Sequence, residues 1–174
     1  EALSHIVSVY GKKFDVDFTR TLAFVHDDAE IINGDVQLRD KERMTPEELD
    51  ALAKKEREAI PLVVRMYSQI ANGYDYSMLL HATKDKISLE AQFVSFFDKF
   101  DGAGEAWHEL WAGNKYFLTP AGGSDGNDGY IRRLREFPKK YPALINFFEE
   151  FPDYIPEHFD FDSVLKNGKL HTRE

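Results

Sequence analysis

Apolar residues recur at helical spacing along most of this chain. Phe18, Leu22, Val25 and Ala29 fall three or four apart, the period of an amphipathic helix. A helix is therefore predicted through F-V-H-D-D-A-E-I-I-N-G-D, Phe24 to Asp35, with positions 26 and 30 on one face. Thr45-Pro46-Glu47-Glu48 is a second helix start, with Thr45 as N-cap, Pro46 in the first helical position and acids in the first turn. That helix is expected through Leu49, Leu52, Lys55 and Glu56, with Pro61 the place for a kink before it continues through Val64 and Tyr67. Asn72-Gly73 is expected to stop it. A short helix near Tyr76 to Ala82 and a long one from about Ser88 to Gly102 follow, the latter with Ala91, Val94 and Phe97 as an apolar stripe. No segment alternates with a two-residue period between hairpin turns, so no sheet is expected and the fold class is all-α.

Composition adds limits. At 174 residues the chain is long enough for one core, and no apolar run approaches the ~20 residues that span a bilayer, so no membrane partner is expected. There is no cysteine, so any metal must be held by histidine and carboxylates. Twenty-two Lys and Arg against 31 Asp and Glu give a net charge of −9. Such an acidic surface argues against duplex nucleic acid, which requires a basic footprint. A small phosphate ester stays within reach, since its charge can be met by a metal and a few local cations.

The densest chemistry lies between positions 26 and 35. Adjacent His26 and Asp27 at the inner end of a helix can reach one divalent cation, because imidazole and carboxylate both suit first-row transition metals. Glu30 lies one turn on and Asp35 follows a Gly34 turn; acids in such places are usually solvated or capping. Asp98 follows Val94 by one turn on the edge of an apolar stripe, so it is expected to point inward and to need a partner. That partner is a cation or a salt-bridging Lys or Arg. The run from Ala121 to Gly129 lacks the Gly-Lys-Ser/Thr of a phosphate loop and the ligand series of a calcium loop, and is expected to be a mobile connection. Trp107, Trp111, Tyr116 and Phe117 fit core better than a base pocket, and Arg132, Arg133 and Arg135 fit a solvated helix face. His81, His108, His158 and His171 form no paired ligand motif. Residues 147 to 161, rich in Phe, Pro and acids, are expected as an arm packed on the domain or on a second subunit.

The string H-D-x-A-E-x-x-x-G-D resembles the HD-domain phosphohydrolases, and within them the branch of bacterial 5′-deoxynucleotidases. E-A-Q-F-V-S-F-F-D-K (Glu90 to Lys99) and H-E-L-W-A-G-N-K-Y-F (His108 to Phe117) are similar to two later segments of that branch, in the same order. The resemblance covers about residues 15 to 120. It implies an HD-domain helical bundle over residues 1–120, with 121–174 as a loop and C-terminal helices on the same domain, ending in an irregular arm. It implies a metal-dependent phosphomonoesterase acting on a (deoxy)nucleoside 5′-monophosphate, with His26, Asp27 and Asp98 as ligands of a divalent transition metal (Co, Mn, Zn, Fe or Ni). Glu30 and Asp35 then orient or deprotonate the attacking water and assist the leaving oxygen. A cytoplasmic location is the expectation, and the resemblance leaves room for a homodimer. The family carries a further ligand His and a phosphate-binding Arg before this motif; His5 lies closer to His26 than the family's spacing, so both are expected upstream of residue 1. An HD-fold binding or regulatory module without catalysis is the alternative.

Overall fold

The computed structural model describes residues 14–67, 69–114, 133–134 and 136–144, the side chains at 38, 39, 107, 110 and 111 excepted. The elements in order are α1 (Val16–Val25), α2 (Glu30–Asn33), α3 (Leu38–Lys41), α4 (Pro46–Met66), β1 (Ile70–Ala71), β2 (Tyr74–Asp75), α5 (Tyr76–Asp85) and α6 (Leu89–Trp111). The protein is all-α, with a single two-stranded ribbon among the described residues. It divides into two compact units, Glu1–Phe97 and Asp98–Glu174, and α6 runs through the division.

The first unit closes around Leu22, Val25 and Ala29 from α1 and the turn after it, Ile60 and Val63 from α4, Tyr76, Leu79 and Leu80 from α5, and Ala91 and Val94 from α6. α4 packs on α2 and α5, and α5 also packs on α1. Burying a Leu or Ile side chain contributes roughly 1.5–3 kcal/mol, so this cluster fixes how the four helices that supply it pack. In the second unit, Ala103, Ala106, Leu134 and Leu144 are buried. Phe137 and Tyr141 meet as a tilted ring pair, 5.5 Å between centroids.

Local chemistry explains most boundaries. Asp15 caps α1, its Oδ1 accepting from the Phe18 amide at 2.9 Å. Thr45 and Glu48 form the reciprocal box at the start of α4: the Glu48 amide donates to Thr45 Oγ1 at 3.3 Å and the Thr45 amide to Glu48 Oε2 at 2.8 Å. α4 continues past Pro61 and ends at Met66, where Tyr67 turns extended. Gln69 Nε2 then donates to the Val64 carbonyl at 2.8 Å, satisfying a backbone acceptor of the last turn.

Asn72-Gly73 does not stop that helix. Both residues have positive φ, +50° and +85°, the requirement of a two-residue hairpin turn with the twist of its strands. Ile70 pairs with Asp75 and Ala71 with Tyr74. The strands are too short to show an alternating pattern, which is why the ribbon escapes a periodicity analysis. Asn72 Nδ2 reaches back to Thr21 Oγ1 at 2.9 Å and ties the hairpin tip to α1.

α6 outruns its expected end at Gly102 and reaches Trp111. Gly102 and Gly104 each disfavour a helix by about 1 kcal/mol relative to Ala; buried Ala103 and Ala106 supply the packing that carries the helix past them. Phe93 to Phe97 are buried on every side of the helix. Among the described residues no helix is long and apolar enough to cross a membrane. His5, residues 121–129 and residues 147–161 lie outside the described residues, as do Tyr116, Phe117, Arg132, Arg135, His158 and His171.

Candidate functional site

The H-D motif sits in a break between helices, not inside one. α1 ends at Val25, and residues 26 to 29 form a turn before α2 starts at Glu30. The amides of Asp28, Glu30 and Ile31 bond to carbonyls three residues back, Val25 at 3.1 Å, Asp27 at 2.8 Å and Asp28 at 3.2 Å, the tighter spacing of a 3₁₀ turn. The expected shared face of 26 and 30 on a single α-helix is thereby lost. The motif lies instead at the C-terminal end of α1, where the helix dipole favours a cation.

Two contacts hold this turn. Ala29 is fully buried in the core. Buried Tyr76 donates its hydroxyl to Asp28 Oδ2 at 2.6 Å. Burial, reinforced by that bond and the Asp28 charge, pushes the Tyr76 phenol well above its usual range, so it stays a donor.

His26 Nδ1 lies 2.8 Å from the Ala23 carbonyl. A carbonyl can only accept, so Nδ1 carries the proton and Nε2 presents its lone pair or a second proton. Nε2 stands 3.1 Å from Asp27 Oδ2. Two acceptors so close repel unless a positive charge stands between them, as a proton on Nε2 or as a cation touching both. Histidine anchored through one ring nitrogen to a backbone carbonyl, with the other turned to a carboxylate, is the tautomer that metal binding uses. The donor chemistry of the pair therefore fits a divalent cation.

Glu30 lies beside this pair with its side chain 17% exposed, and its Oε1 is 3.4 Å from Lys84 Nζ. The same ammonium is 3.2 Å from Glu56 Oε2, with Lys84 and Glu56 14% and 16% exposed. Three helices thus contribute one charge each: α2, α4 and α5. Burial holds the Glu30 carboxyl above the ordinary Glu range; Lys84 and Lys41 oppose this, while Asp27 and Asp35 add to it. Lys84 and Glu56 were not among the residues that sequence singled out. The faint signal is that Lys84 follows buried Leu80 by one helical turn, but a lysine at the edge of an apolar stripe ordinarily extends its head to water.

Asp35 is placed differently. It is exposed, 3.9 Å from Lys41 Nζ and 3.4 Å from Gln37 Nε2. Gly34 before it takes φ +75°, as the N-G-D sequence suggests. Asp98 opens the second unit, is partly exposed, and pairs with the neighbouring Lys99. Among the described residues no group of three or more His, Cys, Asp or Glu side chains converges as a metal cluster. The described geometry brings His26 and Asp27 together, with the Glu30 carboxyl close enough to feel the Asp27 charge, while Asp35 stays on the exposed turn.

A helical protein with a His-Asp pair at a helix end, followed one turn later by a partly buried glutamate, has the marks of the HD-domain superfamily. The chain belongs to the YfbR-like 5′-deoxynucleotidase family, whose model matches residues 1–151. Neither the curated proteins nor the solved structures provide a match. The family match extends beyond residues 15 to 120, where the three sequence segments had placed the resemblance.

Proposed function

We propose that the protein hydrolyses the phosphate monoester of a (deoxy)nucleoside 5′-monophosphate with a divalent transition metal. The observation that carries this reading is the His26–Asp27 pair, 3.1 Å apart with the imidazole fixed through Nδ1, in a chain of a 5′-deoxynucleotidase family. His26 Nε2 and the Asp27 carboxylate are the ligands supplied by the turn, and the resemblance to HD-domain enzymes adds Asp98, carried by α6. When bound, the cation supplies positive charge for the phosphoryl oxygens and acidifies water at the site. Glu30 accepts a proton at Oε2, since among the described residues only Oε1 is engaged. Asp35, on the exposed turn, assists proton transfer to the leaving 5′-oxygen. Water attacks phosphorus, the P–O ester bond breaks, and the products are nucleoside and inorganic phosphate.

The direct test is phosphate release from a panel of ribo- and deoxynucleoside 5′-monophosphates by protein loaded in turn with Co, Mn, Zn, Fe or Ni, beside a metal assay. The expected result is one metal per chain and release that stops on chelation. Protein that holds the metal and hydrolyses no phosphomonoester refutes the reading and favours a binding or regulatory HD module.

A further inference from the structure

We infer that Lys84 is a positioning residue for Glu30, held in place by Glu56, so that one ammonium fixes the rotamer of the glutamate beside the His-Asp turn. The inference rests on Glu30 being the base of the proposed hydrolysis. Glu30 is carried by α2, a helix of four residues. One turn of helix is too short to be stable alone. The surrounding structure must therefore supply its orientation. Asn33 Nδ2 donates to the Lys55 carbonyl at 3.0 Å and anchors the end of α2 on α4, but this leaves the Glu30 side chain to be fixed separately.

Lys84 does so from the last turn of α5. Its Nζ is 3.4 Å from Glu30 Oε1 and 3.2 Å from Glu56 Oε2, and all three side chains are largely buried. Joining α4 to α5 does not require this contact, because the next residues along the two helices already form a pair at the surface. Arg57 Nη2 is 3.0 Å from Asp85 Oδ1. What Lys84 adds beyond that pair is the tie to α2. A buried ion pair adds little net stability over an apolar replacement of similar size, so the role inferred for this one is to set the direction of the Glu30 carboxylate. Glu56 draws the ammonium from one side and Glu30 is held on the other. Oε1 is thereby occupied and Oε2 keeps its lone pairs for a proton.

The test uses metal-loaded protein and the variants Lys84→Met, Lys84→Arg, Glu56→Gln and Glu30→Gln. Lys84→Met is expected to lower kcat about ten- to a hundredfold, the range a displaced catalytic group produces, with KM and metal content little changed. Lys84→Arg, which keeps the charge, is expected to recover most of the loss. In thermal melts the Lys84→Met and Glu30→Gln changes in Tm should not add in the double variant, a readout independent of turnover. Wild-type kcat in Lys84→Met, loss of metal together with kcat, or additive changes in Tm each overturn the inference. Should Lys84→Met fail to fold, Glu56→Gln decides: a fall in kcat at constant KM and metal content supports it, and an unchanged kcat refutes it. If the wild-type enzyme itself releases no phosphate, the monophosphatase reading falls and takes this inference with it; an active wild type with a normal Lys84→Met removes the inference alone.

Discussion

Glu30 shows what a single buried carboxylate does at this site. Burial raises its folded-state pKa above the ordinary Glu value, so between the two values the folded protein binds more protons than the unfolded chain. Stability contributed by this group is therefore full at low pH and is lost as pH rises through the folded pKa. Glu30→Gln should flatten that part of the profile. Urea midpoints of wild type and variant, measured as pH rises from about 4.5, should shift steadily in favour of the variant; parallel curves would refute it. The same residue gives the sharpest functional prediction. Glu30→Ala should keep the metal and lower turnover about 10²–10⁴-fold, the usual contribution of a positioned base. His26, Asp27 and Glu30 stood out in sequence as candidates because an adjacent His-Asp with an acid one turn later is a rare local string. Lys84 and Glu56 did not, because helical periodicity places a Cβ on a face and says nothing of where a flexible charged head settles.

At the scale of elements, the hydrogen bond from Tyr76 to Asp28 links α5 to the turn that carries the proposed ligands His26 and Asp27. Tyr76→Phe keeps the ring in the core and leaves a partly buried carboxylate without its donor. A loss of about 1–3 kcal/mol in chemical denaturation is expected, with weaker metal binding because the turn is no longer pinned. Thr45→Ala is the control: losing the capping box at the start of α4 should cost about 1 kcal/mol with kcat unchanged in steady-state assays. The helices themselves were legible where caps and apolar stripes coincide, as in α4, whose start at Pro46 follows from Thr45 and Glu48. Two features were hidden for physical reasons. The break at His26 depends on a side chain competing for the Ala23 carbonyl, and the ribbon depends on backbone φ at Asn72 and Gly73. Neither leaves a mark in hydrophobic period.

For the whole molecule, the proposed metal makes stability depend on its concentration. Ligand present at 100 times its Kd stabilises by about 2.7 kcal/mol, so Tm should climb with added metal. Replacing Asp98 by Asn should abolish the climb while leaving the metal-free Tm close to wild type; a full climb in that variant would remove Asp98 from the ligand set. The three-residue bonding of the turn also has a kinetic side. The amides of Asp28, Glu30 and Ile31 hang on short-range bonds at the junction of two helices, in a turn that gives the core only Ala29. Their protons should exchange with deuterated water well before those inside α1 and α4, and metal should slow them selectively. A turn that loosens without global unfolding lets a cation come and go at the exposed Asp27 carboxylate, so exchange rates at three backbone positions would report loading before any substrate is added.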